Sequence, residues 1–65
     1  LNTVMPYSNK VEMPDLRGYS MRKAMTTIRK QGLEIKIEGS GKVVWQSPIP
    51  GTILNKGKVC IVGLK

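Results

Sequence analysis

The sequence predicts an α+β fold: one α-helix packed on a three-stranded antiparallel β-sheet, with a short extra strand on the N-terminal side. Three observations carry this expectation. Met21, Ala24, Met25 and Ile28 recur at helical spacing behind Ser20. Leu33 to Glu38 alternates apolar and charged residues, as a half-buried strand does. Gly39-Ser40-Gly41 and Asn55-Lys56-Gly57 separate the later strand-like runs with turn residues.

The first ten residues show no usable periodicity and carry Pro6, Ser8 and Asn9. Residues 1–10 therefore read as a linker from a preceding domain, and 11–65 as the folded unit. The chain begins with Leu1, which fits a piece of a longer protein. Val11-Glu12-Met13 makes a brief edge strand ended by Pro14, and Pro14 to Gly18 is a turn leading to the helix. Ser20 is the expected N-cap, its hydroxyl accepting from an early helical N–H. Gly32 is the expected stop. Arg22 and Lys23 fall in the first turn, where the helix dipole prefers acids.

Leu33, Ile35 and Ile37 are expected to face the helix. The Gly39-Ser40-Gly41 turn is expected to join this strand to Lys42–Ser47 as an antiparallel hairpin. Ser47-Pro48-Ile49-Pro50 must stay extended, because each proline fixes its own φ and keeps its predecessor out of the helical region. Pro50-Gly51 fits the centre of a type II turn. Lys58–Leu64 is the last strand, with Val59 and Ile61 on one face and Cys60, Val62 and Leu64 on the other. Both faces are apolar, so this strand either lies centrally or is covered by another domain. The expectation is cover, with Cys60, Val62 and Leu64 as the interdomain packing residues. Strict alternation puts Trp45 on the side of Val43.

At 65 residues the chain holds one small domain. Eleven Lys and Arg against four Asp and Glu give a net charge of +7, enough to favour polyanions. The basic residues are scattered, however, as on a solvated surface. A nucleic-acid sheet would stack bases on several aromatic residues, and only Trp45, Tyr7 and Tyr19 are present. No apolar run is long enough to span a membrane. The chain lacks histidine, so Ser/His and Cys/His pairings are impossible, and its few carboxylates form no acid–base pair. Neither an enzyme nor a metal or cofactor site is expected, and Cys60 cannot form an internal disulfide.

From Val11 to Leu64 the order and spacing of residues resemble the PASTA domain of penicillin-binding proteins and receptor-like Ser/Thr kinases. The resemblance rests on Pro14-Asp15-Leu16-Arg17-Gly18, then Ala24 in the helix and Gly32-Leu33 at its end. It continues through Gly41, Val43, Gln46, Pro48 and Gly51 to Lys56-Gly57. The chain departs from the pattern in two respects: Arg22 and Lys23 stand where acids are frequent, and Trp45 where a small or polar residue is usual. That habit tips the expectation for Trp45 toward exposure. Gln46 is expected to satisfy backbone groups left unpaired by the departing proline arm.

The resemblance implies a non-catalytic, extracytoplasmic cell-wall module of a bacterial penicillin-binding protein, most like the C-terminal module of a class B cell-division transpeptidase. Its partners would be peptidoglycan, uncrosslinked stem peptides or β-lactams, and its expected ligand-binding residues are Trp45, Lys42, Arg22 and Lys23. Two alternatives stay open. The domain could instead be a scaffold that packs on the transpeptidase domain of its own chain without binding a ligand, or a PASTA repeat of a Ser/Thr kinase.

Overall fold

In the computed structural model, residues 9–65 are described, so most of the expected linker 1–10 lies outside the described residues. Strand β1 (Lys10–Glu12) leads through a loop to helix α1 (Met21–Lys30), followed by β2 (Glu34–Gly39) and β3 (Val43–Ser47). Strand β4 (Ile53–Asn55) and strand β5 (Val59–Leu64) complete the order.

The helix begins and ends for local reasons. Ser20 is extended (ψ 163°), and its Oγ accepts from the Lys23 N–H at 3.2 Å. At the far end Leu33 N–H donates to Ile28 C=O and Gly32 N–H to Arg29 C=O, a Schellman closure. The buried stripe is narrower than the spacing suggests. Ala24 and Ile28 are fully buried and Met25 partly, whereas Met21 is exposed.

The expected all-antiparallel sheet is replaced by a mixed one, and a second sheet accompanies it. The main sheet has the order β2-β5-β3, with β2 and β5 parallel and β5 and β3 antiparallel. Strands β2 and β3 are therefore not hairpin partners; β5 lies between them. The Gly39-Ser40-Gly41 link steps over the end of β5 and does not fold β3 back onto β2. Its glycines have φ of 87° and 113°, and a Cβ on either would run into the carbonyl of Leu64 or Lys65. Alternation fixes which residues share a face but not which strand is the neighbour, and only the close passage over Leu64–Lys65 reveals the crossover.

The second sheet pairs β1 with β4, placing Val11 opposite Leu54. Three-residue β4 was not expected, being too short to show alternation. It is delivered by the proline arm, whose Ile49–Thr52 turn closes with Thr52 N–H to Ile49 C=O at 3.3 Å. Gly51 N–H then donates to Met13 C=O, and Met13 N–H to Thr52 C=O, both at 2.8 Å.

One core serves both sheets. Met13, Leu16, Ala24, Ile28, Leu33, Val43, Leu54, Cys60, Val62 and Leu64 form it, with Val11, Tyr19, Ile35 and Ile37 packed at its margin. Central placement and this core account for the inward apolar residues of β5, whereas Val59 on its outer face stays exposed. Its inward residues meet the chain's own helix. The expectation of Cys60, Val62 and Leu64 as interdomain packing residues is corrected accordingly: the first two are completely inaccessible and Leu64 nearly so.

Candidate ligand-binding face

The face of the main sheet turned away from the helix is set by an irregularity in β3. The register shifts between Val43 and Trp45, a bulge that opposes an extra residue to β5. Val43 and Gln46, three apart, are consequently both buried, while Val44 and Trp45 between them are both exposed. Strict alternation would have turned Trp45 inward with Val43. The bulge overrides it, and Trp45 is 45% exposed.

The register arranges this outer face in rows. Glu38, Gly63 and Trp45 stand opposite one another across β2, β5 and β3. The next row is Lys36, Ile61 and Ser47, and beyond it Glu34 faces Val59. Gly63 has no side chain, and the Trp45 indole occupies the space a Cβ would need. The ring thus lies flat across the central strand, with Gly63 buried beneath it. A glycine inside a strand is a signal of close approach, and it is the one sequence feature that could have located this platform.

The expected ligand-binding residues do not gather on this face. Lys42 precedes β3, exchanging backbone hydrogen bonds with Lys65 and bridging to Ser20 at the helix start. Arg22 and Lys23 belong to α1, which packs on the opposite side of the sheet from Trp45. Lys23 Nζ sits 4.4 Å from the centre of the Tyr19 ring, a cation–π contact. Arg22 lines a shallow groove of about 320 Å³ with Met21, Met25, Thr26 and Arg29. The structure therefore separates an aromatic platform from a cationic end at the helix N-terminus, where no acid occupies the first turn.

Gln46 is structural. Its Oε1 accepts from Leu16 N–H at 2.7 Å, and its Nε2 donates to Pro14 C=O at 2.9 Å and Pro48 C=O at 3.0 Å. One side chain thereby ties the loop before the helix to the arm leaving β3. Gly18 N–H to Val43 C=O and Val43 N–H to Tyr19 C=O extend this seam along the outer edge of β3.

Among the described residues the titratable groups offer no catalytic pairing. Asp15 accepts from Arg17 Nε at 3.0 Å and Nη2 at 3.1 Å, and these bonds hold its carboxyl below the ordinary value on an exposed loop. Burial pushes the Cys60 thiol up, the reverse of what a nucleophile needs. Among the described residues no three His, Cys, Asp or Glu side chains cluster to hold a metal, and no helix is long and apolar enough to cross a membrane.

The family model of the PASTA domain matches residues 11–62, most of the chain. The chain belongs to the PASTA family. No curated protein matches it. PASTA domains are non-catalytic, extracytoplasmic bacterial modules of penicillin-binding proteins or Ser/Thr kinases. The family positions fall where the physics needs them in this PASTA domain: Ala24 and Val43 in the core, Gln46 bridging loop and arm, Gly41 over the end of β5.

Proposed function

We propose that this PASTA domain is the wall-associating module of a penicillin-binding protein, holding peptidoglycan or its uncrosslinked fragments near a transpeptidase domain elsewhere in the same protein. The stretch ahead of β1, shorter than the expected 1–10 because Lys10 pairs with Asn55, would be the link to the preceding part. The observation that carries the reading is the Trp45 indole, spread over Gly63 and half exposed on a sheet face that the described elements leave uncovered. An exposed aromatic ring held flat by its own sheet contributes little to the core and offers a stacking surface. Lys42, Arg22 and Lys23 supply a separate cationic end suited to carboxylates, such as those of stem peptides or of β-lactams that mimic them.

The test is titration of the 65-residue chain with a disaccharide–pentapeptide muropeptide. Trp45 is its single tryptophan, so emission reports directly on the platform. Saturable change below millimolar concentration supports wall binding. Unchanged emission and amide NMR shifts at millimolar ligand remove it. The parent is decided upstream in the coding sequence: Ser-x-x-Lys, Ser-x-Asn and Lys-Thr-Gly mark a transpeptidase, a kinase domain followed by a membrane helix the other parent.

A further inference from the structure

We infer that the outer face of the main sheet is a saccharide subsite, on which a chain of N-acetylhexosamines lies across Trp45 and is bordered by Glu38, Lys36 and Ser47. The inference rests on the wall-binding reading above and names the part of the wall this face takes: the glycan, not the peptide.

Three features of the face converge on this chemistry. The first is the platform itself. Gly63 leaves room for the indole to lie flat, so its electron-rich face is presented outward. One side of a pyranose ring is a patch of C–H groups, whose positive edges match such a face. The second is the border. Glu38 shares a row with Gly63 and Trp45, two sheet spacings or about 10 Å from the tryptophan backbone. The indole projects over Gly63, between the two. A sugar stacked on it therefore turns its substituents toward Glu38 on one side and the Lys36–Ile61–Ser47 row on the other. Glu38 accepts from hydroxyl and amide hydrogens, Lys36 donates, and Ser47 does both. All three are exposed. A mostly apolar surface with a few polar groups fixing orientation is how small polar ligands are held.

The third feature is charge. The chain is strongly cationic as a whole, yet β2 presents Glu34, Lys36 and Glu38 along this face, two acids to one base. That column leaves the border of the platform without net positive charge, which suits an uncharged sugar chain better than phosphate polymers, acidic headgroups or peptide carboxylates. The cations suited to carboxylates, Arg22 and Lys23, are on the helix, across the sheet.

The experiment titrates the intact chain separately with chitotetraose, a peptide-free β-1,4 N-acetylglucosamine chain, and with the isolated stem pentapeptide, following Trp45 emission and amide shifts. Chitotetraose should bind and shift Lys36, Glu38, Ser47 and Gly63. Affinity should fall about tenfold or more in Trp45→Ala, given what an aromatic contact contributes. Gly63→Val keeps the tryptophan but denies it the flat position, and it should lose binding while remaining folded by circular dichroism. Ile53→Ala, on the second sheet, should leave the titration unchanged. Binding of the pentapeptide but not chitotetraose overturns the saccharide subsite and leaves the wall-binding reading standing; binding of neither, nor of the muropeptide, overturns both. Chitotetraose binding that survives Trp45→Ala and Gly63→Val overturns the site.

Discussion

Gln46 Oε1 accepts from the Leu16 backbone N–H at 2.7 Å, joining two parts of the chain 30 residues apart. The same side chain donates to Pro14 and Pro48, so all three bonds end on backbone that neither helix nor sheet can satisfy. Gln46→Ala strands a buried N–H and two carbonyls and should cost about 2–3 kcal/mol in chemical denaturation. Gln46→Glu should behave differently with pH. A carboxylate would face two carbonyl oxygens, so the folded state raises its pKa above the unfolded value of about 4.3. Its stability is then greatest below that unfolded value and falls as pH rises through the folded one. Denaturation midpoints of Gln46→Glu at acid and neutral pH check this; equal midpoints would mean that the glutamine amide is not held between Pro14 and Pro48.

Arg22 and Lys23 share the unfavourable end of the helix dipole but should not respond alike. Arg22→Glu replaces a cation with the favoured charge and should stabilise the domain by about 0.3–1 kcal/mol at low salt. Lys23→Glu gains the same term and loses the contact over Tyr19, which is of similar size at an exposed site. It should be close to neutral. Thermal melts of the two variants in low and high salt separate the effects, since screening weakens the dipole term.

The Gly41 crossover should be less tolerant than an ordinary left-handed turn. Gly57 has φ 88° and open space around it, so Gly57→Ala incurs only backbone strain of about 1 kcal/mol. Gly41→Ala adds a collision with the Lys65 carbonyl and should cost at least about 2 kcal/mol. Comparable losses in the two would indicate a link that does not pass over β5.

Much of this arrangement was legible in the sequence, and the rest was hidden for identifiable reasons. Ser20, Gly32 and the Met21–Ile28 spacing located the helix because capping and periodicity act locally. The inward face of β2 followed from a period of two. In β5 the same period grouped Cys60, Val62 and Leu64, but the expectation turned that group toward another domain, whereas the structure buries it in the domain's own core. What period cannot supply is pairing. The antiparallel expectation failed because Gly39-Ser40-Gly41 fits a hairpin turn as well as a crossover, and the chain gives no local sign that β5 will enter between its ends. At the candidate face, the exposure of Trp45 depends on a bulge, and its partners Glu38 and Gly63 come from strands distant in sequence. Gln46 was legible because an amide amid apolar residues, beside a proline arm, has unsatisfied backbone close at hand.

Cys60 should be inert while the domain is folded. Its Sγ lies 3.5 Å from Met13 Sδ in a site without access to water, and burial raises the thiol from its ordinary 9.0. Reaction with a disulfide reagent at pH 8 should proceed at the rate of domain opening and accelerate with denaturant. Cys60→Ser buries a hydroxyl against a thioether and should cost about 1–3 kcal/mol. Immediate labelling under native conditions would contradict the packing of Met13 on β5.

The middle ribbon of the main sheet is also the final one in chain order. A polypeptide leaving the ribosome or a translocation pore presents both flanking ribbons before the piece that unites them. Until Val59–Leu64 emerges, β2 and β3 have no common partner, and Leu33, Ile35 and Val43 stay wet. Assembly of this sheet accordingly waits for Val59–Leu64, so the core closes only after the whole domain has come through.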